Sequence, residues 1–413
     1  MRRINKGFAV LLLLVLPIQC LAAAGKEPVV INALMLSAEY RETISQLVRR
    51  FNASNNEIEL SYQLHLNEDY HDRQNTCLKD QNCPVDIFLG FAGYGFEQRV
   101  SRNEIEPLEN LWKKGGFDKY YLNTKKSVTL HNKQYGLPLS YYPWGFFYRK
   151  SLFNKFNLAP PKTWQEFLHI CEVFKAANIA PMMIGTKTPF PAASWFSYLN
   201  LRLHGLEFHT RLTAGKISFT DKRVRKTLGF LKELIEKGYF FKGHENLTHS
   251  KALPYFYRNR GAMYLIGSFI LSKMPRQFRH DVGFFRFPQI DPSIPLYEEA
   301  PLDLLFIPIQ SKHKSAAKKV LSFFAQPDVS YQLNQASGYL SPNAKSQEAD
   351  DDLVLASSRH LKSSAGFSYF FNRNSPPETG REGTKLLGKF FLNPGDLDYY
   401  VQEFEKLRAT IKK

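Results

Sequence analysis

Val29 to Leu36 is a nearly unbroken apolar run, the pattern of a strand buried on both faces of a parallel sheet. Just downstream, Tyr40, Ile44, Leu47, Val48 and Phe51 recur at helical spacing and predict an amphipathic helix over Glu39 to Phe51. Ile58, Leu60, Tyr62, Leu64 and Leu66 then alternate with polar residues, which is a strand period, and Val85 to Leu89 is another short apolar run. Strand, helix and strand in alternation predict an open α/β sheet.

The theme continues along the chain. Thr163-Trp164-Gln165-Glu166 is a capping box that opens a helix, and Trp164, Phe167, Leu168, Cys171 and Phe174 mark its apolar face. Leu228, Leu231 and Ile235 mark a further helix that Gly238 terminates, and Leu304 to Ile309 predicts a strand leading into a helix over 315–326 that Pro327 stops. There is no internal repeat, low-complexity tract or Pro/Gly-rich linker. For a chain of 413 residues, two domains without a linker imply that the chain crosses between them more than once.

The N-terminus adds an address. Arg2, Arg3 and Lys6 precede the apolar run Phe8 to Ile18 and the small residues Ala22-Ala23-Ala24, the three-part pattern of a secretory signal peptide over residues 1–24. A periplasmic destination follows. Gln19 before Cys20 is a poor lipoprotein signal, which wants a small residue there. Removing the leader takes away three of the 55 basic residues and no acid, leaving a formal charge of +14. A solvated basic surface and attraction to an anionic ligand are both consistent with that charge. No block of five or six Lys/Arg occurs, so nucleic acid is not an expected partner.

Three cysteines lie beyond the leader. Cys77 and Cys83 flank a short polar loop in a chain bound for an oxidising compartment, so a local disulfide is expected. Nothing nearby completes a set of four zinc ligands, and neither a metal nor a cofactor is expected. Cys171 sits on the apolar face of its helix and reads as a buried thiol.

Open α/β sheets bind ligands at the carboxyl ends of their strands, which puts Ser37, Glu39, Gly90 and Phe91 at the mouth of the first domain. Glu39 is equally a helix-start acid favoured by the dipole. Aromatic residues make up 14% of the chain and concentrate in the run Tyr141 to Tyr148 and at Trp195-Phe196. Tyr141, Tyr142, Trp144 and Trp195 are ligand candidates, because sugar rings stack their C–H faces on flat rings while carboxylates and amides take the hydroxyls. Alternate members of a strand point to opposite faces, so at most half of the run faces a ligand.

Tyr135-Gly136-Leu137-Pro138, then Tyr148-Arg149-Lys150-Ser151-Leu152-Phe153, then Pro160 to Phe167, stand in an order and spacing that resembles the maltose-binding-protein-like sugar-binding proteins of ABC importers. Arg149 stands where that family usually has Asn. Asn259 to Phe269 is similar to a family element whose final aromatic commonly faces sugar, with Phe269 in place of Trp. Ala300 to Asp303 takes the place of a Gly-rich or Asp-bearing strand start, and Ser337-Gly338-Tyr339-Leu340-Ser341-Pro342 resembles the family's turn after a helix. The resemblance implies a two-lobed periplasmic-binding-protein-like fold of type II, an open α/β sheet in each lobe, a cleft between them and three hinge crossings. These crossings are expected near 135–140, 283–290 and 326–330, giving a first lobe of 25–137 plus 285–326 and a second of 138–284 plus 327–413. Asp303, Phe269, Gly338 and Tyr339 join the ligand candidates on this basis. Asp303 also reads as a strand-end acid bonding its own backbone.

A carbohydrate ligand, permease partners at the inner membrane and a monomeric state are what the resemblance implies. The positive charge motivates an acidic sugar, with Arg373 or Arg381 as carboxylate partners, although each also reads as an exposed surface arginine. A sensory module for a receptor kinase would look identical. A glycosidase needs two carboxylates about 5 to 9.5 Å apart across the cleft, for which Glu39 and Asp303 are the candidates, and no G-x-S-x-G, H-E-x-x-H or P-loop pattern occurs. No catalytic residue is assigned.

Overall fold

The computed structural model describes residues 25–34, 38–65 and 67–411. Residues 1–24, where a leader is expected, and the candidate Ser37 lie outside the described residues. The helix Ala38–Ser54 buries the five apolar positions expected of it, Tyr40, Ile44, Leu47, Val48 and Phe51. They pack on a five-stranded sheet ordered Ile58–His65, Glu27–Leu34, Ile87–Phe91, Leu302–Phe306 and Leu137–Tyr141. The first three strands are parallel, whereas Leu302–Phe306 runs antiparallel to both of its neighbours, so the sheet is mixed rather than purely parallel. A strand arriving from another body of the protein is free of the crossover that forces parallel pairing.

A second sheet of four strands is ordered Val282–Phe285, Trp144–Arg149, Gly261–Gly267 and Ala180–Met183. Its helix Trp164–Ala176 starts at the expected capping box: Glu166 N–H donates to Thr163 Oγ1 at 3.3 Å, and Thr163 N–H donates to Glu166 Oε2 at 3.1 Å. Cys171 is buried on its inner face. Pro327 ends one helix, Lys314–Phe324, and also opens the next, Pro327–Ser337, because a proline at the first helical position loses no intrahelical bond. Among the described residues no helix is long and apolar enough to cross a membrane.

The buried apolar residues separate into two cores, and the chain passes between them three times. The first passage falls between Leu139 and Tyr142, the second between Ala300 and Leu302, and the third between Leu333 and Tyr339. The second lies later than the expected 283–290, since Phe285 and Phe287 stack on Phe146 inside the second core. The third is also later than expected, because Val329 and Leu333 still pack in the first core. Between these passages a two-stranded parallel ribbon pairs Tyr297–Glu299 with Gly366–Ser368. Arg202, from the long helix Phe190–Thr213, pins it by pairing with Glu298 at 2.9 Å. The Cys77–Cys83 disulfide closes the short loop after the helix Asn67–Cys77, with the two Cα atoms 5.1 Å apart.

Candidate functional site

The strand ends of the first sheet and the loops of the second meet where the two cores face each other. Asp303 extends from the first residues of the strand Leu302–Phe306 and is buried. Arg373 reaches it from the second body at 3.0 Å and donates to the Tyr142 hydroxyl at 2.8 Å. The guanidinium also lies over the Phe91 ring, 4.1 Å from its centroid. Burial pushes the Asp303 carboxyl up to about 6, against the opposing pull of Arg373. Arg373 is therefore not the exposed surface arginine that one reading of the sequence allowed. Its charge is already taken by Asp303, which removes the support for a ligand carboxylate there. Arg381 is exposed and bonded to its neighbour Glu382.

Around this pair stands a cluster of rings. Tyr142 stacks on Tyr339 with centroids 4.6 Å apart, and meets Phe269 edge-on at 5.8 Å. Trp144 contacts Phe269 at 5.8 Å, Phe370 at 4.6 Å and Phe190 at 6.2 Å, and its indole N–H is buried with no protein acceptor. His249 packs on Phe190 at 4.9 Å, and burial pushes its imidazole down to about 4, so it stands neutral among the rings. Flat rings, a neutral imidazole and a charge pair of zero net charge are suited to a neutral, polar ligand with apolar faces.

Of the candidates, Phe91, Tyr142, Trp144, Phe269, Asp303, Tyr339 and Arg373 come together here. Tyr141 lines a neighbouring cavity of about 280 Å³ together with Tyr339. Glu39 and Gly338 line another, of about 690 Å³. Two candidates belong elsewhere. Trp195 is fully buried in the second core against Phe146, Phe240 and Phe287. Gly90 sits inside the first sheet, where a Cβ would come within 2.8 Å of the Phe306 ring, so it is a packing glycine.

The sequence reading missed Phe190, His249, Phe370 and Gly93. Gly93 has φ 117°, and a Cβ on it would lie 2.6 Å from the Arg373 carbonyl oxygen. That bare backbone lets Tyr94 N–H donate to the same oxygen at 3.0 Å across the two bodies. The glycine directly after the strand-end pair Phe91-Ala92 was the available signal. Phe190 and Phe370 carried none, since isolated aromatics in a phenylalanine-rich chain read as core.

Two α/β bodies, joined by three chain passages and meeting through rings and a charge pair, define a two-lobed ligand-binding protein of the periplasmic-binding type. Residues 37–330 match the profile of the bacterial extracellular solute-binding proteins, and the chain belongs to that family. An uncharacterized ABC transporter extracellular-binding protein of Pyrococcus horikoshii is 24% identical over 270 residues, which span 63% of this chain and 58% of that relative, under two thirds of its length. The fold is shared with the bacterial solute receptor AcbH, described as preferring β-D-galactopyranose exclusively (TM-score 0.79, 22% identity, 94% of this chain and 97% of that one). It is shared equally with a chitin oligosaccharide binding protein (TM-score 0.82, 17% identity, 92% and 98%).

Proposed function

We propose that this protein captures a carbohydrate between its two lobes and delivers it, chemically unchanged, to the permease of an ABC importer, after export to the periplasm and removal of residues 1–24. The observation that carries this is the ring cluster of Tyr142, Trp144, Phe190 and Phe269 beside the Asp303–Arg373 pair. Tyr142 and Trp144 are buried in it, while the partly exposed Phe190 and Phe269 supply C–H stacking faces beside buried polar partners, the mixture that sugar recognition needs. The sugar ligands of the structural relatives support the same reading. Capture without chemistry is favoured because Asp303 is committed to Arg373, while Glu39 is exposed on a different cavity, so these two candidate carboxylates do not face each other across one site as glycoside cleavage requires. Closure of the lobes is a hinge motion at the three chain passages.

A thermal-shift screen of the leader-free protein against neutral and acidic sugars tests this, since a ligand bound only by the folded state raises the melting temperature. A stabilising sugar recovered intact by chromatography is the expected result. Cleavage products, or no stabilisation by any sugar, would overturn it.

A further inference from the structure

We infer that the first body carries a docking surface for an anionic lipid bilayer, built on the segment from Glu109 to Lys133, none of whose residues belongs to the ring cluster. The segment holds six lysines against two acids. Its fold decides which of them face outward. The helix Glu109–Gly115 is stopped by Gly116 in the left-handed conformation (φ 61°), and two single helical turns follow, Phe117–Lys119 and Lys125–Val128. Trp112, Phe117 and Tyr121 meet ring against ring with centroids 5.8 to 5.9 Å apart, and all three are buried. The Trp112 indole N–H donates to the Gly136 carbonyl at 3.2 Å, which ties the segment to the body beneath. With that triangle of rings turned inward, Lys113, Lys114, Lys119, Leu122 and Lys126 are left outside, and each is exposed.

Two observations separate this surface from an ordinary solvated one. The first is that its cations are unmatched. Asp118 is taken by Lys125 at 2.7 Å and Glu109 by Lys133 at 3.8 Å, which uses both acids of the segment. Lys113, Lys114, Lys119 and Lys126 have no ion-pair partner among the described residues. Elsewhere on the same body, Lys314 and Lys318 are matched by Glu106, and Lys319 by Glu57. A fifth unmatched lysine, Lys345, arrives from beyond the third chain passage and lies over the Tyr120 ring, 4.4 Å from its centroid. The Ala344 N–H donates to the Tyr120 carbonyl at 2.8 Å and holds it there. The second observation is Leu122, which lies between Lys119 and Lys126 in the chain and is 72% exposed, more than any other large apolar side chain among the described residues.

Charge complementarity and side-chain type select the partner. Every cation of the segment is a lysine and none is an arginine. Protein interfaces favour arginine, whose planar fork pairs bidentately with carboxylates, and are depleted in lysine. Lipid phosphates spread over a plane make no such demand: an ammonium group on a flexible stem contributes about 1 kcal/mol near an anionic membrane surface whatever its exact position. A leucine beside those lysines enters the acyl boundary beneath the phosphates, and the half-buried Tyr120 sits at the level of the headgroups. Leu122 gains by leaving water, and the lysines gain by staying where the phosphates are.

The test is co-sedimentation of the leader-free chain with vesicles of phosphatidylcholine alone and of equal parts phosphatidylcholine and phosphatidylglycerol. Partition onto the anionic vesicles should be stronger by at least about tenfold and should fall as salt is added. The combined variant Lys113→Gln, Lys114→Gln, Lys119→Gln and Lys126→Gln should lose at least about tenfold of that partition, and Leu122→Ser alone about threefold or more. A control with the same net charge, Lys175→Gln, Lys222→Gln, Lys226→Gln and Lys389→Gln, removes exposed lysines of the second body and should bind as the unaltered chain does. Melting temperatures confirm that each variant is folded. Equal partition onto both vesicles, partition onto neither, or an equal loss in the control would overturn the inference. Retention on soluble polyglutamate with none on anionic vesicles would overturn it as well, and would make an acidic macromolecule the partner.

Discussion

Asp303 and Arg373 form an ion pair of 3.0 Å that joins one body of the protein to the other, with both side chains nearly out of contact with water. The carboxyl belongs to the first sheet and the guanidinium to a loop after the ribbon strand Gly366–Ser368. The pair therefore contributes to stability only while the two bodies are together. Desolvating two charges offsets most of their attraction, so its net contribution is small, but removing one partner is expensive.

That asymmetry gives a pH signature. Asp303 has an ordinary value of 3.8 and stands at about 6 in the fold, so the native state holds this proton more tightly than the unfolded chain does. Its contribution is fully present below about pH 4 and is lost as the pH rises through 6. Arg373→Ala removes the group that pulls the carboxyl down, which raises it further and extends the loss across neutral pH. Urea denaturation should show Arg373→Ala costing little at pH 5 and about 3 kcal/mol at pH 8. In the Asp303→Asn background the dependence should vanish. A cost independent of pH would show that Arg373 does not act through Asp303.

Stacking and core aromatics should separate cleanly. Phe269 is partly buried at the junction of the two bodies, and Phe269→Ala should weaken sugar binding by more than about 1 kcal/mol, as should Trp144→Ala. Trp164 packs between Phe167 and Phe287, both nearly parallel to it, and Trp195 is enclosed in the same core. Alanine at either of these should cost about 3 to 5 kcal/mol of stability while the folded fraction binds normally. Titration calorimetry and chemical denaturation on the same four variants check the contrast.

The helix Ala38–Ser54, the strands before and after it and the capping box at Thr163 were legible because each rests on local periodicity or a local hydrogen bond. The positions of the chain passages were not. Phe285 and Phe287 look the same in sequence whether they face the first sheet or the second, and only their stacking on Phe146 decides. For the same reason strand alternation did not sort the run from Tyr141 to Tyr148: Trp144–Arg149 is covered on both faces, and Phe146 and Phe147 are equally buried. Phe91 was a candidate from its strand end, Tyr142 from aromatic density and Asp303 from the family resemblance, and the structure brings these three together. Phe190 and Phe370 join the cluster by packing on Trp144 within the second core, pairings distant in sequence that no local pattern encodes.

Gly93 is the residue most sensitive to a single methyl group. Its φ of 117° is costly for any other residue, and an added Cβ would meet the Arg373 carbonyl oxygen at 2.6 Å. The neighbouring backbone atom cannot rotate away as a side chain would. Gly93→Ala should therefore lower stability by about 1 to 3 kcal/mol and weaken ligand binding as well, because the contact lies between the bodies. Normal affinity with reduced stability would confine the effect to the backbone of the turn and detach it from closure.

The ribbon that carries the chain towards Asp303 depends on a buried pair. Arg202 and Glu298 are each about 1% exposed and 2.9 Å apart, and the Tyr198 hydroxyl donates to the second Glu298 oxygen at 3.2 Å. Arg202 Nε also donates to the Phe287 carbonyl at 3.1 Å, so one side chain ties the helix Phe190–Thr213 to the segments before and within the ribbon. Glu299, one residue on, is buried and held well above the ordinary carboxyl range, first by desolvation and also by the neighbouring Glu298 charge. Arg202→Ala would leave the Glu298 carboxylate facing Arg286 at 3.7 Å as its remaining cation, and both the Phe287 and Tyr297 carbonyls would lose a donor. The expected cost is about 3 to 5 kcal/mol by denaturation. The double variant Arg202→Met with Glu298→Leu, which replaces both charges by apolar groups of similar length, should recover much of that loss. If the double variant is no more stable than Arg202→Ala, the arginine matters for the carbonyls it caps rather than for the charge it neutralises.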